Sequence, residues 1–273
     1  MISMGTVWDR TAEFLSDNLG TILPIALAAI FVPAAVSGSL AELNRGASPG
    51  LAAGLGLASL LLAIVTFWGQ LAITALALDP SLGKGAVPAA TRRLPAGLLV
   101  MIVLLLAALL LAIPVGVILA LGGVDFSAAM PGAMPEMPAA AAIWVVLYAL
   151  VLLPVALWLA ARLAVVLPAL VGERLGLGAI PRSWRLTRGS ALKIVGVLIL
   201  YAVVATVASL AATTAFGAVI TLVAGRGEDG LSLATVLTVI VGGAVSTAFT
   251  VLGTAFTAKL FLALRAAKEA ASK

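Results

Sequence analysis

Residues 51–78 read LAAGLGLASLLLAIVTFWGQLAITALAL, 28 positions without one charged side chain. A bilayer hydrocarbon core needs about 20 consecutive apolar residues in a helix to cross it. This run exceeds that length, and Asp79-Pro80 closes it. Working outward, five further runs of the same kind stand at residues 19–37, 96–122, 139–161, 194–224 and 231–258. The fourth extends past Arg162 toward Leu167, and the sixth past Lys259 toward Leu264. Six membrane-spanning helices are therefore expected, in an all-α polytopic integral membrane protein forming a single membrane domain over residues 1–273. Pro24, Pro33, Pro114 and Pro154 fall inside these runs, where neighbouring helices can satisfy the carbonyl that proline frees, so they read as kinks. The first run follows Asp9, Glu13 and Asp17 rather than a basic segment, and reads as a retained span rather than a secretory signal.

Composition supports the same class. Of 273 residues, 63% are hydrophobic and 10% charged, with a mean hydropathy of +1.24. Soluble domains run near 45–50% apolar and about 25% charged. There is no cysteine, so no thiolate nucleophile and no disulfide framework, and no histidine, the commonest general base and metal ligand. No metal and no cofactor is expected, and no catalytic constellation stands out.

The six runs divide the charges. One side receives Arg10, Lys84, Arg92, Arg93, Arg162, Arg174, Arg182, Arg185, Arg188, Lys193, Lys259, Arg265, Lys268 and Lys273, 14 cations in all. The other receives 2, Arg45 and Arg226, with Glu42, Asp125, Glu136, Glu228 and Asp229. By the positive-inside rule both termini are expected in the cytoplasm, and the chain in a bacterial cytoplasmic membrane.

A short sequence recurs. Leu82-Gly-Lys-Gly-Ala-Val-Pro88 precedes the third run and Leu175-Gly-Leu-Gly-Ala-Ile-Pro181 the fifth, with five of seven positions identical. Met4-Gly-Thr-Val7 is a fainter third copy before the first. The expectation is three parallel repeat units, at about 1–80, 81–170 and 171–273, each an interfacial helix followed by a transmembrane hairpin. Treated as one helix, residues 177–191 place Leu177, Ile180, Trp184, Thr187 and Ala191 on one face and Arg182, Arg185 and Arg188 on the others. An apolar face with a tryptophan, opposed by arginines, suits a helix lying among the headgroups. Arg182, Trp184, Arg185 and Arg188 are accordingly the candidate lipid-headgroup contacts, the alternative being that these arginines only set topology.

The stretch Arg162-Leu-Ala-Val-Val-Leu-Pro168-Ala-Leu-Val-Gly-Glu173, followed by Ala179-Ile-Pro-Arg-Ser-Trp-Arg-Leu-Thr-Arg-Gly189, resembles the membrane domain attached to some bacterial glycerophosphoryl diester phosphodiesterases and related stand-alone membrane proteins. The closing Leu260-Phe261-Leu-Ala-Leu264-Arg265 is similar to that family's end. The sharp resemblance covers about thirty residues, and the six-span organisation carries it more weakly over most of the chain. It implies a membrane role but not the phosphodiesterase reaction, which in the fused proteins belongs to a separate soluble barrel using histidines and acidic metal ligands.

Other motifs carry less. Gly225-Arg-Gly-Glu-Asp-Gly230 fits the dinucleotide glycine pattern but joins two spans rather than a strand and a helix, so it reads as a turn. Ser190-Ala-Leu-Lys193 lacks the companion motifs of serine acylases. Asp79 and Glu173 read as a helix-end cap or a local ion pair with a nearby arginine. Arg162 and Lys259 are each flanked by apolar residues, which marks them as functional candidates, though near a span end both can snorkel.

The function expected is a non-catalytic membrane protein that interacts with anionic phospholipids or organises the membrane, alone, as a homo-oligomer or with a membrane partner, and without nucleic acid. The alternative is a transporter or permease subunit with a polar cavity near Gln70, Trp144, Tyr148, Arg162 and Lys259. A third reading is an intramembrane lipid-processing enzyme.

Overall fold

The computed structural model describes residues 3–44, 47–124, 137–224 and 233–271, with the side chains at 42, 219–224, 233–236 and 271 outside that set. Among the described residues there is no strand. An N-terminal helix α1 (Met4–Asp17) leads into a first crossing segment of α2 (Leu19–Ala26), a π-helical turn (Leu27–Phe31) and α3 (Val32–Asn44). Then come α4 (Pro49–Leu78), a 3₁₀ turn (Pro80–Gly85), α5 (Ala86–Leu121) and α6 (Ala139–Leu163). The chain continues through α7 (Val166–Gly172), a 3₁₀ turn (Gly176–Gly178), α8 (Ala179–Thr187), α9 (Ala191–Ala224) and α10 (Leu233–Ala271).

Six helical segments are long and apolar enough to cross a membrane, so the chain is an all-α, multi-pass membrane protein. Their outer surfaces say the same: Leu110 is 66% exposed, Val146 65% and Leu150 69%, in a chain too apolar to leave such side chains in water. Helix α3 packs on α4, α4 on α5, α5 on α6, α6 on α9, α9 on α10, and α10 returns to α3, so the crossing segments close into a ring.

Because crossing segments alternate in direction, α1, residues 79–85, residues 173–190 and the end of α10 share one end, which carries most of the cations. The buried side chains crowd toward that basic end, among them Leu71, Leu76, Leu170, Leu186, Leu260 and Phe261. Helix α1 is amphipathic: Val7, Thr11 and Phe14 are buried at helical spacing, and the Trp8 ring packs against that of Phe256 at a 46° tilt with centroids 4.8 Å apart. Helix α5 spans 36 residues, about 54 Å, so its first turns with Arg92 and Arg93 project beyond a bilayer core. In this unit the expected interfacial helix is therefore continuous with the span.

Two breaks interrupt the spans. The π turn ends just before Pro33, which has no N–H for the Ala29 carbonyl. It meets α4 at Gly69, where a Cβ would stand 2.7 Å from the Ala29 Cβ, so only glycine admits this approach. The second break separates α6 from α7 at Ala164-Val165, one turn before Pro168.

The recurring heptapeptide has a matching backbone in its two copies. Each forms a 3₁₀ turn leading into a helix. Gly83 and Gly176, at equivalent positions, take left-handed φ values of +49° and +54°. Ala86 and Ala179, again equivalent, are fully buried.

One expectation is corrected. Residues 177–191 are not one helix: Leu177 lies in the 3₁₀ turn, the helix covers Ala179–Thr187, and Arg188 and Gly189 (φ +89°) turn the chain before Ala191 starts α9. The buried face of α8 is Ala179, Ser183, Leu186 and Thr187, so Thr187 points into the protein while Leu177 is 44% exposed.

Candidate functional site

The basic end is organised by what the α6–α7 break leaves unpaired. A helix that ends inside a protein strands its last carbonyls. The Arg162 carbonyl, in the last turn of α6, accepts the Ser183 hydroxyl at 2.7 Å and, more weakly, the Thr187 hydroxyl at 3.4 Å. Thr187 also donates to the Ser183 carbonyl of its own helix at 3.0 Å. Two polar residues on the inner face of α8 thus fix that helix against the end of α6.

The Arg162 side chain sits in an aromatic cage. Its guanidinium carbon lies 5.1 Å from the Trp158 ring centroid and 5.4 Å from that of Trp184, and the two indoles meet edge to face at 5.0 Å. Trp158 precedes Arg162 by one helical turn, so both project from the same face of α6. Each cation–π contact is worth about 0.5–2 kcal/mol. One Arg162 nitrogen reaches the Trp184 carbonyl at 3.5 Å, while its Nε is buried with no hydrogen-bond partner among the described residues. Arg162 forms no ion pair there, so aromatic faces rather than a carboxylate hold this charge.

Arg182 donates to both oxygens of Glu173, at 2.7 Å each, in a two-pronged bridge from α8 to the segment after α7. These hydrogen bonds raise the Arg182 pKa above its ordinary value, against the opposing effect of burial. Glu173 is thus an ion-pair partner, and Asp79 a turn cap whose carboxylate accepts from the Ser81 N–H at 3.1 Å. Arg185 and Arg188 are exposed and form no ion pair among the described residues.

Lys259 also serves a helix end. Asp79-Pro80 forces an extended backbone after α4, and Lys259 donates to the Ala77 carbonyl in that last turn at 2.8 Å. Its ammonium lies 4.5 Å from the Phe14 ring centroid and borders a groove of about 520 Å³ with Arg10, Glu13 and Asp17.

Gln70 lines a different cavity, about 420 Å³, between α4, α5, α10 and the α6–α7 break. Thr250, Thr254 and Thr257 share this lining, but each donates to a carbonyl of its own helix, so the walls are mostly apolar. Trp144 is 62% exposed on the outer surface, and the Tyr148 hydroxyl donates to the Leu111 carbonyl of α5 at 2.5 Å. The structure does not bring Gln70, Trp144, Tyr148, Arg162 and Lys259 into one cavity. The Gly225–Gly230 turn lies outside the described residues. Among the described residues no group of three acids stands close enough together to hold a metal ion.

Sequence reasoning marked Arg162, Arg182 and Trp184 but missed Trp158 and Ser183. The one-turn spacing of Trp158 and Arg162 was the signal available for the first. The chain matches no protein-family model, no curated protein and no solved structure.

Proposed function

We propose that the chain is a non-catalytic membrane protein that engages anionic phospholipid at its basic end, with α8 as the contact and that end facing the cytoplasm of a bacterial cell. The supporting observation is the division of labour on α8. Ser183, Leu186 and Thr187 anchor the helix inward, Arg182 is held by Glu173, and Arg185, with Arg188 just past the helix end, is exposed and forms no ion pair among the described residues. An interfacial helix presenting exposed guanidiniums suits phosphate-bearing headgroups. The resemblance to the phosphodiesterase-associated membrane domain fits this reading, as does the matched backbone of the Gly83 and Gly176 turns in two of the three proposed repeat units.

The test is native mass spectrometry of the wild type in mild detergent beside Arg185→Gln/Arg188→Gln. Loss of a co-purified anionic phospholipid in the variant supports the proposal. Unchanged lipid retention means that these arginines act only in topology. A second reading, a permease, is favoured by the cavity at Gln70. It requires a solute to protect a cysteine placed at Gln70 from an aqueous thiol reagent.

A further inference from the structure

A second basic pocket lies between the start of α5 and the end of α7, away from the exposed face of α8. It measures about 350 Å³ and is lined by Arg92, Arg93, Arg174 and Asp79, with an apolar flank that includes Leu78, Leu82 and Val171. Among the described residues none of the three arginines forms an ion pair. The acid in the same lining forms no ion pair with them among the described residues: the Asp79 carboxylate caps its own turn, accepting from the Ser81 N–H and, at 2.5 Å, from its hydroxyl, so the pocket holds three cations against one anion.

Arg174 adds an independent sign. Its φ is +56°, making it the sole non-glycine residue with positive φ among those described. It directly follows the C-cap of α7, a position where glycine is the usual occupant. An L side chain in this conformation costs about 1–2 kcal/mol. The chain has 27 glycines and uses them at the comparable turns of Gly83, Gly176 and Gly189, yet carries arginine here. Strain held at one position points to what its side chain does.

We propose that this pocket binds a single anionic phospholipid, with Arg92, Arg93 and Arg174 holding the phosphate and Leu78, Leu82 and Val171 receiving the glycerol end of its acyl chains. Unpaired guanidiniums supply charge-assisted hydrogen bonds to phosphate oxygens. The apolar flank distinguishes a lipid from a soluble anion. Basic pockets between membrane helices at the cytoplasmic interface suit such headgroups. The proposal shares with the α8 reading the premise that this end meets anionic lipid, but names different residues.

The experiment is native mass spectrometry of three proteins in mild detergent: wild type, Arg93→Gln/Arg174→Gly and Arg185→Gln/Arg188→Gln. The pocket variant is expected to lose one phospholipid, with retention weakened about tenfold or more, the scale of one lost charge-assisted hydrogen bond. The α8 variant is expected to keep that lipid. Arg174→Gly alone is expected to melt no lower than wild type, because glycine relieves the strained φ, which separates lost binding from lost folding; Arg92→Gln/Arg93→Gln is the second variant if it melts lower. Full lipid retention in both pocket variants overturns the proposal whatever α8 does, whereas an α8 variant that keeps every lipid the wild type carries, and not the pocket lipid alone, overturns only the α8 reading. Delipidated wild type is then offered inorganic phosphate or a dispersed anionic phospholipid, with thermal shift as readout. A larger shift with the lipid is expected, and an equal shift with phosphate alone overturns the lipid assignment.

Discussion

The Ser183 hydroxyl of α8 donates to the Arg162 carbonyl of α6 at 2.7 Å, joining two helices across 21 residues of chain. The acceptor is available because α6 ends there, and the donor is fully buried. Ser183→Ala leaves a buried carbonyl with only the longer Thr187 bond and is expected to lower stability by about 1–3 kcal/mol, read as a fall in melting temperature in detergent. Ser183→Thr, which keeps the hydroxyl, should lose less.

The Arg182–Glu173 bridge is partly exposed, at 29% and 17% of the two side chains. Its contribution is therefore about 1 kcal/mol or less. Arg182→Gln and Glu173→Gln should each lower the melting temperature slightly, and the double variant should lower it by less than the sum. Additive losses in this cycle would show that the pair does not couple in the membrane-embedded protein.

Gly69→Ala tests the approach of α4 to the π turn. The added Cβ would meet the Ala29 Cβ at 2.7 Å, and overpacking of this kind costs about 1–3 kcal/mol. Gly56→Ala, with nothing within 4 Å, is the control and should be neutral or slightly stabilising. Equal melting of the two variants would place the π turn elsewhere.

Lys259→Met keeps the apolar stem and removes the donor to the Ala77 carbonyl. The expected loss is about 1–3 kcal/mol, again read by thermal unfolding. Any loss should appear without added solute, since Lys259 acts on the end of α4 rather than on the cavity at Gln70.

The spans were legible in the sequence because lipid imposes one rule, that a crossing segment be long and apolar. Hydropathy is blind to breaks within such a run, so the π turn before Pro33 and the separation of α6 from α7 before Pro168 did not show, although Pro33 itself reads as a kink. The face of α8 was misplaced for a related reason. The helical projection of residues 177–191 ran across three elements, a 3₁₀ turn, a nine-residue helix and the start of α9, which do not share an axis. Which face turns inward is set by the stranded Arg162 carbonyl, a feature of another helix. Glu173 and Arg182 are nine residues apart, and their pairing depends on the turn at Arg174, where a left-handed arginine is not expected.

The central claim is that the end carrying α8 and the arginine pocket faces the cytoplasm, where anionic headgroups lie. The chain has no cysteine, so single cysteines report cleanly on position. Ser16→Cys and Ser81→Cys stand at the basic end and Ser48→Cys at the other, all at exposed positions. The account predicts that a membrane-impermeant maleimide labels Ser48→Cys in intact cells, and labels Ser16→Cys and Ser81→Cys only in inverted vesicles. The reverse pattern, or labelling of Ser16→Cys and Ser81→Cys from opposite sides, would contradict it.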